Sequence, residues 1–319
     1  MTQAMPQAIK NKVRHCLTLD HFNSEELLQM VHLALKLKRE PDRFSGLMEG
    51  RWLLMLFQKT STRTRLSFEI GMGRLGGRSV MMDWDSSNFS ISPIEYEARY
   101  ASSHTDLIMA RLKLHRDMVT LTENSQVPVI NGCDDRFHPC QALGDLVTIH
   151  EAAGSISGQT LVFVGIHNNV ANSLACALPG LGGRLILVTP EVNPAAHDPE
   201  MMERMTATGL VERTLNMKEA VKRAQFVYTD TWVDMEFFDD KDYEAEKKRR
   251  IQVMLPYQLN AETLKDSDAF ILHDMPIHPG YEISEELVHS PRSLIFTQAE
   301  NRMYAQQALM LFLLGISTG

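Results

Sequence analysis

Amphipathic stretches alternate along this chain with short runs that are apolar at every position. Asn23-Ser-Glu-Glu26 spells a capping box, and behind it Leu27, Leu28, Val31, Leu35 and Leu37 recur on one side of a helix. Residues 52–57 (WLLMLF) are apolar throughout, the pattern of a strand covered on both faces of a parallel sheet. A polar loop at 58–62 leads into a helix through Leu66, Phe68 and Ile70; Leu75-Gly-Gly-Arg78 ends it, and a strand begins at 80–82. The second half repeats the order: strand 161–164, polar loop 165–169, helix 170–181, Leu181-Gly-Gly-Arg184, strand 185–188. Glycine pairs at both helix ends let the chain turn back into a sheet. Further strands are expected at 226–229 and 269–272, and a closing helix at 303–314.

Two copies of strand, loop, helix, glycine pair and strand predict an α/β protein with two domains of similar plan. Each is a mainly parallel sheet flanked by helices. The boundary falls near 140–155, where a helical stretch at 141–153 gives way to Gly154-Ser-Ile-Ser-Gly158. A length of 319 residues agrees with two domains at roughly 100–200 residues each. With 44% hydrophobic and 23% charged residues the chain is neither disordered nor a disulfide scaffold. No apolar stretch approaches the ~20 residues that span a bilayer, and the N-terminus lacks the apolar region of a secretory signal. A net charge of −8 argues against a nucleic-acid partner. Four cysteines without CxxC spacing suggest reduced thiols in a cytoplasm.

Ser61-Thr-Arg-Thr-Arg65 is the strongest chemical signal. Three hydroxyls and two guanidiniums meet the free N–H groups of a helix start after a buried strand, which makes an anion site; capping by Ser61 or Thr62 with solvated arginines is the plain alternative. Gly71-Met-Gly-Arg-Leu-Gly76 spells GxGxxG but ends a helix instead of opening one, so it is no dinucleotide fingerprint. Phe137-His-Pro-Cys-Gln141 sets His138 and Gln141 beside a proline-fixed turn, either as hydrogen-bonding groups for a small ligand or as a structural turn. His273-Asp-Met-Pro276 follows a strand. His273 and His278 lack the further Cys/His cluster that a metal site needs, so no metal is expected. Asp230 and Asp234, at the end of the strand at 226–229, offer carboxylates for an ammonium group or for a turn cap. Arg111 and Arg302 stand alone in sequence.

Together these segments resemble the aspartate/ornithine carbamoyltransferase family in order and spacing, from Arg14-His-Cys-Leu17 to the C-terminal helix, and the ornithine branch above all. The carriers are STRTR at 61–65, HPCQ at 138–141, Asn168-Asn169, TDTW at 229–232, His273-x-x-Pro276 and Glu300-Asn-Arg302. The resemblance implies a carbamoyl-phosphate domain (1–145, rejoined by 300–319 as the last helix packs back on it) and an amine-acceptor domain (155–299). It implies homotrimers with shared active sites. Ser61, Thr62, Arg63, Thr64 and Arg111 would cradle the phosphate; His138, Gln141, Met275 and Arg302 would hold the carbamoyl group; Asn169, Asp230, Asp234 and Met235 would bind the acceptor. Arg63, Arg111 and His138 would stabilise the oxyanion. Phosphate is itself a good leaving group, so no cofactor is expected.

The sequence departs from the family pattern in four places. Asp274 replaces a cysteine, Asp234-Met235-Glu236 replaces Ser-Met-Gly, Ile166-His167 precedes the paired asparagines, and the loop at 86–93 lacks the usual Gln and Lys, with Asn88 the best match to that Gln. Asp274 is expected in the acceptor pocket as a base, or else paired structurally. Two functions follow: carbamoyl transfer to L-ornithine or a related amine, or binding of a phosphate-bearing ligand or partner without turnover. An aspartate-type acceptor would need cations where Asp234 and Glu236 stand.

Overall fold

The computed structural model describes residues 13–233 and 243–318; Asp234, Met235 and Glu236 lie outside the described residues. The six apolar residues of β1 (Trp52–Phe57) pair in parallel with β2 (Arg78–Asp83) on one side and β3 (Leu107–Arg111) on the other. β3 pairs in turn with β4 (Val129–Cys133), giving the order β2-β1-β3-β4. A second, five-stranded parallel sheet has the order β7-β6-β5-β8-β9. Its strands are β5 (Thr160–His167), β6 (Arg184–Val192), β7 (Val211–Arg213), β8 (Phe226–Thr229) and β9 (Phe270–His273).

Continuous apolar runs are needed because both faces of the central strands are covered. Leu53, Met55 and Phe57 face one core while Leu54 and Leu56 face another. Along β5 the same alternation sends Leu161 and Phe163 into the first of these cores and Val162 and Val164 into a third. One core therefore runs through both halves. Between the sheets lie α1 (Ser24–Arg39), α2 (Thr62–Arg74), α5 (Pro139–Ala153) and α11 (Ile295–Leu313). α11 packs on α5, α1 and α2, so the end of the chain returns to the first half. The other named helices are α3 (Ile94–Ser102), α4 (His115–Asn124), α6 (Asn169–Ala177), α7 (Pro199–Ala207), α8 (Met217–Lys222), α9 (Glu244–Met254) and α10 (Glu285–Val288).

Several boundaries differ from expectation, and one strand was not expected; β5 runs on to His167 through the first part of the expected loop, and β6 extends to Val192. α11 begins at Ile295, well before 303, because its first turns bury Gln298, Asn301 and Arg302, polar residues that break the apolar pattern. α6 stops at Ala177, where Pro179 interrupts the helical bonding. β4 (VINGC) carries Asn131 and Gly132 in a strand buried at every position, so its sequence did not read as one. Both glycine pairs do turn the chain: Gly76 has φ +84°, and a Cβ there would lie 2.7 Å from the Gly46 backbone. Gly71 of the GxGxxG string lies inside α2 against Met303 and Gln307 of α11, a packing glycine.

Candidate active site

Every site segment except that of Arg302 on α11 follows the C-terminal end of a parallel strand, where ligands bind in open α/β sheets. β1 leads into α2, β3 ends on Arg111, β4 precedes α5, β5 leads into α6, and β8 and β9 end beside them. These ends surround one cavity of about 160 Å³ that is lined from both halves.

At the start of α2, Ser61 caps the helix by accepting the Thr64 N–H at 3.2 Å. Ser61 and Arg63 line the cavity, together with Lys59 and Thr60 of the preceding loop. Thr62 is exposed and Thr64 is buried; the Thr64 hydroxyl accepts from Arg302 Nη2 at 3.0 Å. Neither Thr62 nor Thr64 lines the cavity; Thr64 steadies an arginine that does. Arg302 enters from α11 almost completely buried, and its Nε and that of Arg111 have no hydrogen-bond partner. Such guanidinium N–H groups are costly to leave unpaired. Gly144 permits the approach, since a Cβ there would meet Arg302 Cγ at 3.0 Å and Cα at 3.3 Å.

His138 caps α5, with its Nδ1 accepting the Gln141 N–H at 3.4 Å. Burial, and then the charges of Arg302, Arg111, Lys59 and Arg63, push its pKa well below the ordinary histidine value. The ring is therefore neutral at pH 7, and the hydrogen bond at Nδ1 leaves the proton on Nε2. The Gln141 side-chain amide donates to Asp145 Oδ1 at 2.9 Å, which leaves its buried Oε1 without a partner. The same Asp145 oxygen accepts from Gln298 at 2.7 Å, and Gln298 Oε1 accepts the His273 N–H at 2.8 Å. One carboxylate thus orients two amides, the first lining the cavity and the second holding β9. His138 offers a donor and Gln141 an acceptor, the complement of a primary amide's oxygen and nitrogen.

Across the cavity, Asn168 caps α6 and donates to the Asp230 carboxyl. Asn169 donates to the Asp134 carbonyl at 2.6 Å. Asp230, nearly inaccessible, accepts the Thr231 N–H at 2.6 Å. Asp274 follows β9 with Oδ1 3.5 Å from His273 Nδ1. Burial, the Asp274 charge and a hydrogen bond between the two carboxyls raise the pKa of Asp230 well above the carboxylate range. Burial also opposes ionisation of Asp274, but its interactions with His273 and Asp230 outweigh it and hold its pKa down, although its buried Oδ1 has no hydrogen-bond partner. The two buried carboxyls are therefore pushed in opposite directions, Asp230 toward its protonated form and Asp274 toward its carboxylate. Met275 sits at φ +60° before a cis peptide bond to Pro276, with its N–H held by His273 Nδ1 at 2.8 Å.

Of the residues singled out from the sequence, Ser61, Arg63, Arg111, His138, Gln141, Asn169, Asp230, Asp274, Met275 and Arg302 line the cavity. Lys59, Thr60, Cys133, Asn168, Thr231 and Pro276 line it as well. Lys59 carried a readable signal, being a cation in the same loop as STRTR. Cys133 carried none, because nothing local marks the end of β4. His273 and His278 meet Glu282, at 3.0 Å from Nε2 and 3.9 Å from Nδ1 respectively. Among the described residues no cluster of three or more His, Cys, Asp or Glu is arranged to hold a metal ion.

Comparison with known proteins agrees with this architecture. The model of the aspartate/ornithine carbamoyltransferase carbamoyl-P binding domain matches residues 14–151, and that of the Asp/Orn binding domain of the same family matches residues 157–313. An ornithine carbamoyltransferase of Ignicoccus hospitalis is 40% identical, over 95% of this chain and 98% of its own length. One from Archaeoglobus fulgidus is 38% identical over the same shares. The solved ornithine carbamoyltransferase of Pyrococcus furiosus superposes with a TM-score of 0.87 at 35% identity, covering 97% of this chain and 99% of that one. That of Thermus thermophilus gives 0.83 at 34%, covering 94% and 98%. Two strand-end constellations meeting at one cavity, and likeness along nearly the whole length, place the chain in the aspartate/ornithine carbamoyltransferase family.

Proposed function

We propose that the protein transfers the carbamoyl group of carbamoyl phosphate to the amine of L-ornithine or a related amino acid, giving in the first case L-citrulline and phosphate. The observation that carries this reading is the convergence of Arg63, Arg111 and Arg302 on the same cavity as the unpaired Gln141 Oε1 and the neutral His138. A small dianion with an amide end fits that set. The phosphate takes Ser61, Arg63, Arg111 and the N–H groups left free at the start of α2, that of Thr62 among them, while the Thr64 N–H stays with the Ser61 cap. His138 Nε2–H, with Arg302, donates to the carbamoyl oxygen, while Gln141 Oε1 and the Met275 carbonyl accept from its nitrogen. The acceptor occupies the side formed by Asn169, Asp230 and Asp274, with Asp234 and Met235 as proposed contacts.

The amine attacks the carbamoyl carbon, its lone pair forming the C–N bond, and the carbonyl electrons move to oxygen. Arg63, Arg111 and His138 meet that oxyanion in place, without reorganisation at the moment of reaction. Collapse breaks the C–O bond to phosphate, and Asp274 takes the proton lost by the nitrogen. Holding amine and carbonyl in attack geometry supplies much of the remaining acceleration.

The functional division places the donor half at 1–145 and 300–319 and the acceptor half at 155–299. A homotrimer is supported by apolar side chains left exposed on two packed elements: Leu66 and Ile70 on α2, and Val80 and Met81 on β2. Four cysteines that are all buried and free suit a reducing cytoplasm. Ureido product and phosphate should be measured together from carbamoyl phosphate and a panel of amines, L-ornithine first. Donor-dependent formation of L-citrulline or another ureido product supports the reading. Donor binding with no product from any amine makes the protein a binder without turnover.

A further inference from the structure

His32 and His150 stand apart from the cavity, in the middle of α1 and in the last turn of α5. Their Nε2 atoms face each other at 3.2 Å across the contact between these helices. The ring centroids are 5.0 Å apart, and the ring planes cross at 83°. A straight N–H···N bond of that length sets two imidazoles end to end, with their centroids farther apart than this. At least one ring therefore points off the line between the nitrogens, as both do when they share an ion. Two metal–nitrogen bonds of about 2.0–2.1 Å at a tetrahedral angle put their nitrogens about 3.3 Å apart. The two side chains are thus already spaced for a chelate.

Their surroundings suit a neutral, ion-binding pair. Burial, and then the nearness of His32, lower the pKa of His150, against a hydrogen bond from its ring to its own backbone. Of the two ring nitrogens only Nδ1 reaches that carbonyl. A proton held there leaves the Nε2 lone pair facing His32, the tautomer in which a histidine binds metal through Nε2. His32 is exposed and opens on a groove lined also by Glu25, Gln29 and Lys36 of the same helix, which gives an ion its way in. Glu25 draws a cation toward that groove and Lys36 opposes it. On the α5 side the adjacent charge, Glu151, is taken up by Lys38 at 2.9 Å. Imidazole ligands select ions such as Zn²⁺, Ni²⁺ or Cu²⁺, whereas Mg²⁺ and Ca²⁺ require oxygen ligands.

We propose that His32 and His150 form an exchangeable site for a divalent transition-metal ion, which clips α1 to the last turn of α5 with water completing the coordination. None of the carbamoyl-transfer residues takes part. On binding, His32 exchanges its Nε2 proton with solvent for one on Nδ1, so that both Nε2 lone pairs meet the ion. Two protein ligands make the site weaker than the four-ligand closed sites of structural zinc, and reversible. The clip falls beside a polar bridge that already joins three helices. Lys38 of α1 donates to Asn301 of α11 at 2.8 Å, and Asn301 Nδ2 donates to Thr148 Oγ1 of α5 at 3.0 Å. Residues 32 and 150 meet only in the folded chain, so an ion held by both stabilises the fold.

The test is calorimetric titration of metal-free protein with Zn²⁺ alone, near neutral pH, for wild type, His32→Gln and His150→Gln. Thermal unfolding with and without the ion accompanies it. Wild type should bind one ion per chain at this site, and each substitution should weaken that binding at least about tenfold. Saturating Zn²⁺ should raise the melting temperature of wild type by about 2–4 °C and leave both variants unmoved. One equivalent of Cu²⁺ should show two nitrogen ligands by electron spin resonance in wild type and one in either variant. Both positions are partly exposed, so the variants should fold and keep the wild-type kcat for carbamoyl transfer. Absence of Zn²⁺ binding by wild type reduces the pair to a plain hydrogen bond and overturns the site. Equal binding by all three proteins places the ion on other residues and overturns it as well. Where a variant does not fold, fewer than two nitrogens in the wild-type Cu²⁺ spectrum does the same. The transferase reading survives each of these results.

Discussion

Arg63 and Asp145 illustrate how differently two charged residues act in this site. Arg63 is half-buried, and burial lowers its pKa while the Asp274 carboxylate, on the opposite side of the same cavity lining, raises it. Removing it with Arg63→Ala should cost about 2–4 kcal/mol of donor binding, a loss of roughly 30- to 1000-fold, with thermal stability unchanged. Calorimetric titration with carbamoyl phosphate measures this, and an unaltered affinity removes Arg63 from the cradle. Asp145 is fully buried with no cation bonded to it; burial raises its pKa to about 7 against the hydrogen bonds from Gln298 and Gln141. An unfolded Asp releases its proton near pH 4. Between about pH 4 and 7 the folded chain therefore holds a proton that the unfolded chain has lost, so this group's contribution falls as pH rises through that window. Asp145→Asn removes the dependence. Its melting temperature relative to wild type should rise from pH 5 to about pH 7 and level off above it; a constant difference would mean that Asp145 is ionised throughout.

Among the elements, α5 and α11 decide whether the site exists. α11 carries Arg302 and Gln298, α5 carries Gln141 and Asp145, and the two helices touch where Gly144 has no side chain. A methyl at 144 would press on the Arg302 backbone as well as on its flexible stem, at 3.3 Å from Cα and 3.5 Å from N. Gly144→Ala should lower stability by about 1–3 kcal/mol through overpacking and also weaken carbamoyl phosphate binding by displacing Arg302. Denaturant unfolding and donor titration on the same variant separate the two effects. Normal stability with normal binding would show that the helices part at no cost. The N-terminus of α2 is built differently, from a local cap and hydroxyls adjacent in sequence, which is why STRTR was legible and the α5–α11 contact was not.

At the scale of the whole molecule, the continuous core through both halves holds the donor and acceptor sides against one cavity. Among the apolar side chains that the single chain leaves exposed are those on neighbouring faces of α2 and β2. β2 is one edge of its sheet and is exposed at alternate and adjacent positions, unlike β1, β3 and the buried other edge, β4. An exposed edge of this kind invites association. Sedimentation should give a trimer for wild type, and Ile70→Glu, which adds a charge to that face, should shift the protein toward monomer and reduce activity with it. A fully active monomer would show that the neighbour contributes nothing to catalysis.

Several features were already determined by the sequence alone. The α/β plan with two parallel sheets and the capped, arginine-bearing start of α2 were readable because each depends on neighbours in sequence: apolar runs, glycine pairs, and hydroxyls and guanidiniums at a helix start. Only the tertiary structure decided which isolated residues join them. Arg111 and Arg302 are ordinary single arginines until β3 and α11 bring their unpaired Nε groups to one cavity. Asp274 was visible as a departure from a pattern, but its closeness to Asp230, which lies in a different strand-end loop and whose pKa it raises, arises from the pairing of β8 with β9. Glu282 gave no signal at all, since a glutamate in a loop reads as a solvated charge. It becomes a partner of His273 only because the chain folds it beneath the end of β9, out of water, where a carboxylate must find a donor.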